Sequence, residues 1–233
     1  MEFTANPGKS VIIRVGESSF ARHVIKTPFV TERECYIELL RTWVQPLYQP
    51  GDIVCISEKI IAVCQGRIIR RDELPVGRWA RFLSRFASQD TSHGYGVGQA
   101  VKMQYAIRTV GLPRVLLAAV LGGIGKLVGV KGVFYRVAGQ AVSGLDGFYD
   151  GVWDAYRDIG IEIPENPAGV CDEILETLGM HCMIVDANDL GQEILGCSRE
   201  IGYDEQTLKR MIRDNPAGQG RQCTPFVLIR KVG

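Results

Sequence analysis

Histidine is scarce in this sequence: His23, His93 and His181 are the three present in 233 residues. They form no recognisable arrangement with a cysteine, so a base-activated thiol nucleophile lacks its base. Cysteine occurs seven times, at positions 35, 55, 64, 171, 182, 197 and 223, but the number is odd and no Cys-x-x-Cys pair occurs. That pattern speaks against a disulfide framework and fits reduced, buried thiols in a cytoplasmic protein. Charge of one sign is also missing. A formal net charge of +1 gives no electrostatic ground for nucleic acid or an anionic membrane as partner, and the local cluster Arg67-Ile-Ile-Arg70-Arg71 reads as a solvated face, with an anion site as the lesser alternative. No apolar run approaches the roughly 20 residues of a membrane span. The longest, Val115 to Gly125, stops at Lys126 and reads as a buried, glycine-containing core helix, with a membrane-surface contact through its continuation to Val130 as the lesser alternative. Met1 to Ser10 is polar and contains Pro7-Gly8, unlike a secretory leader.

What is present is the composition of a globular protein, 46% hydrophobic and 23% charged. The length suits one domain of two lobes over residues 1–233. Val11–Val15, Ile53–Ser57, Cys182–Val185 and Phe226–Lys231 read as strands. Ile60–Ile69 continues apolar and β-branched until Gly66 breaks it, and Phe134–Val142 alternates like a strand. Thr31 with Glu34 predicts a capping box for a helix over Glu32–Leu47, with Ile37, Leu40, Val44 and Leu47 as its buried stripe. Further helices are predicted around Trp79–Phe86, Gln99–Val110, after Pro113, over Gly169–Leu178 and over Glu205–Arg213. The strands do not recur at a βαβ period and no internal repeat is visible, so the expected class is mixed α/β of the α+β kind.

Phosphate-loop signatures fail. Gly125-Lys126 and Gly8-Lys9-Ser10 lack the upstream glycine, and Gly94-x-Gly96-x-Gly98 follows a predicted helix rather than a strand, so a connector is the stronger reading. The stretch from Asp146 to Gly196 is more informative. It holds Asp146-Gly-Phe-Tyr-Asp150, then Pro164-Glu165-Asn166-Pro167 opening a helix, then an apolar strand that stops at Asp186-Ala-Asn188-Asp189. Acidic and amide groups at a strand end suit a hard cation, yet the EF-hand spacing is not met. On spacing alone, a turn in which Asp186 and Asn188 cap local backbone groups is the stronger reading. Glu58 and Lys59 after a strand, with Gly66-Arg67 nearby, suit a carboxylate or phosphate, or an ordinary surface hairpin.

Together these pieces resemble the gamma-glutamyl ligases of the deazaflavin coenzyme F-420. Gly51-Asp-Ile-Val-Cys-Ile-Ser-Glu58-Lys59 with Gly66-Arg67-Ile68 is similar to that family's opening motif. Gly144-Leu-Asp146 is similar to its Asn-Ala-Gly-x-Asp, Pro164-Glu165-Asn166-Pro167 to its Leu-Pro-Glu-Asp-Pro, and Val185-Asp186 to its strand ending in Ser-Asp-Thr. Order and rough spacing agree over residues 51–196. The resemblance implies a two-lobed, non-Rossmann α+β fold, a homodimer, and a GTP-dependent ligase adding L-glutamate to a small carboxylate in coenzyme F-420 biosynthesis. It implies Mg²⁺ or Mn²⁺ held by Asp146 and Asp186, with Asn188 as a further ligand. Glu58, Lys59, Gly66 and Arg67 would then line the nucleotide or substrate site. No membrane or nucleic-acid partner is implied.

The chain departs from the family pattern at defined places. Ala62-Val63-Cys64-Gln65 stands where the family has Ser-Lys-Ala-Glu, and Val142-Ser143 replaces Asn-Ala. Ala187 and Asp189-Leu190 replace the Thr and the Gly-Arg after the strand aspartate, and Asp214–Pro225 has no counterpart. Lost basic groups motivate an alternative, a non-catalytic or differently acting relative that binds a small anion or nucleotide.

Overall fold

The computed structural model describes residues 2–87, 97–148, 156–187, 191–218, 220 and 222–232. The fold is mixed α+β, and the chain divides into two compact units, residues 1–66 with 164–233, and residues 67–163.

The first unit is built on a six-stranded sheet in the order β1-β2-β9-β3-β7-β8. Its strands are β1 (Ile12–Val15), β2 (Ser18–Ile25), β3 (Ile53–Ser57), β7 (His181–Ala187), β8 (Gln192–Cys197) and β9 (Phe226–Val232). Only the β3–β7 pair is parallel. The chain leaves β3, runs through α2 (Glu58–Cys64), the whole second unit and α8 (Pro167–Leu178), and only then returns as β7. Central strands covered on both faces must be apolar throughout rather than alternating. Ile53-Val-Cys-Ile56 and Cys182-Met-Ile-Val185 are accordingly buried at every position. On one face Ile53, Cys55, Met183, Val185, Val227 and Ile229 pack with α9 (Glu205–Met211). On the other face lie α8, α2 and α1 (Tyr36–Trp43).

The start of α8 is set locally. Asn166 takes a left-handed backbone (φ 43°), its side chain accepts a hydrogen bond from Gly169 N, and Pro167 occupies the first turn, where a missing N–H costs nothing. That first turn lies directly on β8. A Cβ at Gly196 would come within 2.5 Å of Ala168 N and 2.6 Å of Pro167 C, both backbone atoms that cannot swing aside. Gly196→Ala is therefore expected to cost about 1–3 kcal/mol, read as a lowered urea midpoint of the full chain. An unchanged midpoint would show that α8 shifts without cost.

The second unit carries a three-stranded antiparallel sheet, β4-β6-β5, of β4 (Ile68–Arg70), β5 (Asp146–Gly147) and β6 (Ile159–Ile161). Its helices are α3 (Arg78–Ser84), α4 (Ala100–Val110), α5 (Leu112–Leu127), α6 (Val133–Ala138) and α7 (Gln140–Ser143). They share a core that includes Ala80, Leu83, Met103, Ala106, Val115 and Ala118.

Four sequence expectations are corrected here. Thr31 and Glu34 do interact, with Thr31 N donating to Glu34 Oε2 at 2.6 Å, but they close a turn, and the helix begins at Tyr36 after Cys35. The apolar stretch from Ile60 is the helix α2, not a strand or hairpin arm. Its Ile60, Ile61 and Val63 are buried, α2 packs on β3 and β7, and this tertiary packing overrides β-branched propensity. Phe134–Val142 is two short helices separated by Gly139. Finally, α5 is not buried throughout: only Val115, Ala118 and Gly125 are. Its packed side is the glycine side. A Cβ at Gly125 would meet Val133 Cγ2 at 2.6 Å and one at Gly122 would meet Phe134 Cβ at 3.2 Å, so α6 closes in there. The bulky residues of α5 are left on the other side.

Candidate functional site

Parallel pairing fixes the position of the candidate site in the first unit. Ser57 lies opposite Val185, so β3 and β7 run out at the same edge of the sheet. Glu58 and Lys59 open α2 at that edge, and Asp186 follows Val185 near the end of β7. All three are half-buried. The carboxyl ends of parallel strands are a recurrent place for ligands, because the chain diverges there into loops. Sequence reasoning therefore named three residues that the fold brings to one edge.

A small open pocket sits on the α9 face of the same edge. Its walls include Cys55 and Ser57 from β3, Val185 and Ala187 from β7, and Asn215-Pro216 from the loop after α9. Together with the solvent at its mouth it encloses about 370 Å³. Side chains alternate along a strand, so Asp186 belongs to the opposite, α8 face from Val185 and Ala187. The edge thus carries an acid on one side and a mostly apolar pocket that includes Asn215 on the other.

Asn215 is 1% exposed and holds a left-handed backbone, φ 48°. Its N–H donates to Ile212 O at 2.8 Å and its carbonyl accepts from Gly218 N at 3.0 Å, yet its Nδ2 is buried with no protein partner. A buried unsatisfied donor costs about 1–3 kcal/mol, which an acceptor oxygen would relieve.

Two anchors hold this loop. Asn6 Nδ2 donates to Pro216 O at 3.0 Å, Ala217 O at 2.9 Å and Thr224 Oγ1 at 2.9 Å, and the Thr224 hydroxyl donates to Ala217 O at 2.8 Å. Just before the loop, Asp214 pairs with Arg22, a β2 residue that is 1% exposed. Both carboxylate oxygens are engaged by the guanidinium, Oδ2 at 2.9 Å, and the same guanidinium donates to Met211 O and Ser10 O. Burial pushes the Asp214 carboxyl up, but the hydrogen bond and charge of Arg22 outweigh it and hold the group below its ordinary value.

Cys55, in the pocket wall, is no nucleophile at neutral pH. Burial, with a smaller contribution from neighbouring Cys182, pushes its thiol up to about 12. All seven cysteines are free thiols.

The remaining predicted residues lie elsewhere. Gly66 ends the α2 segment with φ 69° and open space where a Cβ would be. Arg67 belongs to the second unit. Its Nε donates to Ile163 O at 2.7 Å and Nη2 lies 3.2 Å from Glu162 Oε2, while Glu162 Oε1 accepts from the Tyr105 hydroxyl at 3.0 Å. Asp146 is also in the second unit, in β5 opposite Ile161, and its Oδ1 accepts from Gly147 N at 2.9 Å. Asn188 lies outside the described residues, as do Gly94 and Gly96 of the glycine-rich connector.

Among the described residues no three His, Cys, Asp or Glu side chains gather as a metal cage. Magnesium that arrives with phosphates asks for less, one or two protein carboxylates with waters and phosphate oxygens completing the octahedron. Asp186 at the strand edge fits that smaller demand.

Asn215 was not reached from the sequence. Asp214–Pro225 stood out there only as a departure, and Asn215-Pro216 with Gly218 signals a turn and nothing more. Compared with protein-family models and with curated proteins, the sequence matches none.

Proposed function

We propose that this chain is a metal- and nucleotide-dependent ligase that joins an amino acid to a small carboxylate through a gamma-glutamyl-type amide, on a gamma-glutamyl-ligase-like fold. The supporting observation is that Glu58, Lys59 and Asp186, which the resemblance groups, stand at one edge of two adjacent parallel strands. In such a reaction a carboxylate oxygen attacks the γ-phosphorus of GTP, giving an acyl phosphate and GDP. The amine then attacks the acyl carbon, phosphate leaves, and the amine loses a proton. No protein nucleophile is required, in keeping with the raised Cys55 thiol. Lys59 would pair with phosphate oxygens and Glu58 with the ammonium of the incoming amino acid. Asp186 would hold Mg²⁺ or Mn²⁺, which when bound neutralises phosphate charge. The roles of Asp146, Asn188, Gly66 and Arg67, and the homodimer, rest on the resemblance alone.

A second reading is favoured by a different observation, the buried, unpartnered Nδ2 of Asn215, a residue that lines the pocket. It casts the chain as a binding protein for a small anion or nucleotide, its acceptor oxygen meeting Asn215. One experiment separates the two: calorimetric titration of the full chain with GTP, GDP and ATP, with and without Mn²⁺ or Mg²⁺. The ligase reading expects binding of one nucleotide only with metal, unaffected by Asn215→Leu. Metal-independent binding that Asn215→Leu removes supports the second reading, and no binding of any nucleotide overturns the first.

A further inference from the structure

The second unit carries an apolar surface on one side of α5. Leu117, Val120, Leu121, Ile124 and Leu127 recur at helical spacing, and Leu117, Val120, Ile124 and Leu127 are 53%, 61%, 52% and 88% exposed. Val128 and Val130 continue it past the end of the helix. A soluble-face helix places polar residues opposite its core stripe, and α5 instead places aliphatics there. On α3, which packs on α4 as α5 does, Trp79 and Phe82 are exposed, and with Phe86 just past the helix end they form an edge-to-face chain with centroids 6.3 and 5.1 Å apart. Single exposed apolar residues need no explanation, but a stripe of five on one helix does.

Charge identifies what this surface meets. Between Glu73 and Asp146 the sequence has nine lysines and arginines, from Arg78 to Arg136, against a single acid, Asp90. The whole-chain balance of +1 hides this excess. Eight of the nine are exposed, Lys102 being the buried one. In sequence Arg78, Arg81 and Arg85 alternate with Trp79, Phe82 and Phe86, and Lys126 and Lys131 flank the last residues of the α5 stripe and its continuation. A second copy of this chain would bring the same positive charge to the contact and be repelled. A nucleic acid would neutralise the charge but has no use for a row of leucine, valine and isoleucine, since it recognises exposed side chains by stacking. An anionic lipid surface satisfies both halves: acyl chains accept the aliphatic stripe, headgroups accept the lysines and arginines, and tryptophan and phenylalanine favour the boundary between them.

We propose that α5, with the segment to Lys131, docks this protein on anionic membranes. The helix lies in the interface rather than crossing it. Sixteen residues rise about 24 Å, short of the roughly 30 Å hydrocarbon core, and no helix among the described residues is long and apolar enough to span.

Vesicle flotation of the full chain tests this. The protein is expected to float with phosphatidylcholine vesicles containing about a third phosphatidylserine, not with phosphatidylcholine alone, and to be released at about 0.5 M salt. Lys126→Glu with Lys131→Glu should weaken binding about tenfold or more. Leu117→Asp with Ile124→Asp should abolish it at any salt, with an unchanged melting curve because both positions are already exposed. Absence of the wild-type protein from the floated anionic vesicles at low salt overturns the proposal. So does a wild-type dimer by light scattering that Leu117→Asp/Ile124→Asp converts to monomer, together with vesicle binding that this double substitution leaves intact.

Discussion

Asp214→Ala is expected to destabilise the protein by about 3 kcal/mol, at the lower end of the range for breaking a buried ion pair. The cost arises at Arg22 rather than at the aspartate. Arg22 is 1% exposed, so removing its partner strands a guanidinium that water cannot reach, and its bonds to Met211 O and Ser10 O leave the charge uncompensated. The Asp214 side chain is 34% exposed, so the aspartate itself is the cheaper member to lose, which places the figure at the low end. Urea unfolding of the two full-length proteins reads the difference, and a shift under about 0.5 kcal/mol would show that the pair contributes as little as a surface bridge.

The same pair sets a pH dependence. The folded Asp214 carboxyl titrates below its ordinary 3.8. Its contribution is therefore complete above that value and disappears as pH falls through the lower, folded-state value. Wild-type stability should drop in that acid window, and Asp214→Ala should flatten the drop. Because Asp214 opens the loop that holds Asn215, the substitution also loosens the pocket wall.

Asp186→Ala is expected to lower metal-dependent nucleotide turnover at least about a hundredfold, because charge neutralisation by a bound ion contributes several kcal/mol to such a transfer. The side chain is half-buried at a strand end, so the fold should survive, and the unfolding midpoint measured alongside shows whether it has. Turnover within twofold of wild type, in a folded variant, would end the ligase proposal. Nucleotide release assayed with Mn²⁺ and Mg²⁺ separately, with a panel of small carboxylates and amino acids, is the direct measurement.

The sequence was legible where burial is uniform. Ile53–Ser57, Cys182–Val185 and Phe226–Lys231 emerge as strands because the sheet centre is covered on both faces, which leaves runs of apolar residues. The edge strand β1 (Ile12–Val15) was legible as Val11–Val15, but β8, at the other edge, and the inner strand β2 were not. β8 has only half-buried or exposed positions, and β2 mixes Ser, Arg and His with its apolar residues, because its Arg22 is satisfied by Asp214, 192 residues away in sequence. Short helices were misread for the converse reason. Val133–Ala138 takes helical form through packing against the glycine side of α5, and no local pattern records that contact.

For the site, the sequence by itself determined that Glu58, Lys59 and Asp186 follow apolar strands, since acid, amide and glycine cannot continue a buried run. Only the tertiary structure decided that β3 and β7 are parallel neighbours, which sets those residues at one edge although more than a hundred residues separate them. It also decided that the loop at Asn215 walls a pocket there, and that the bulky side of α5 faces outward. Strand identity follows from local hydrophobicity, whereas strand pairing and helix facing depend on which distant surfaces fit closest, and close fit is a property of the folded chain alone.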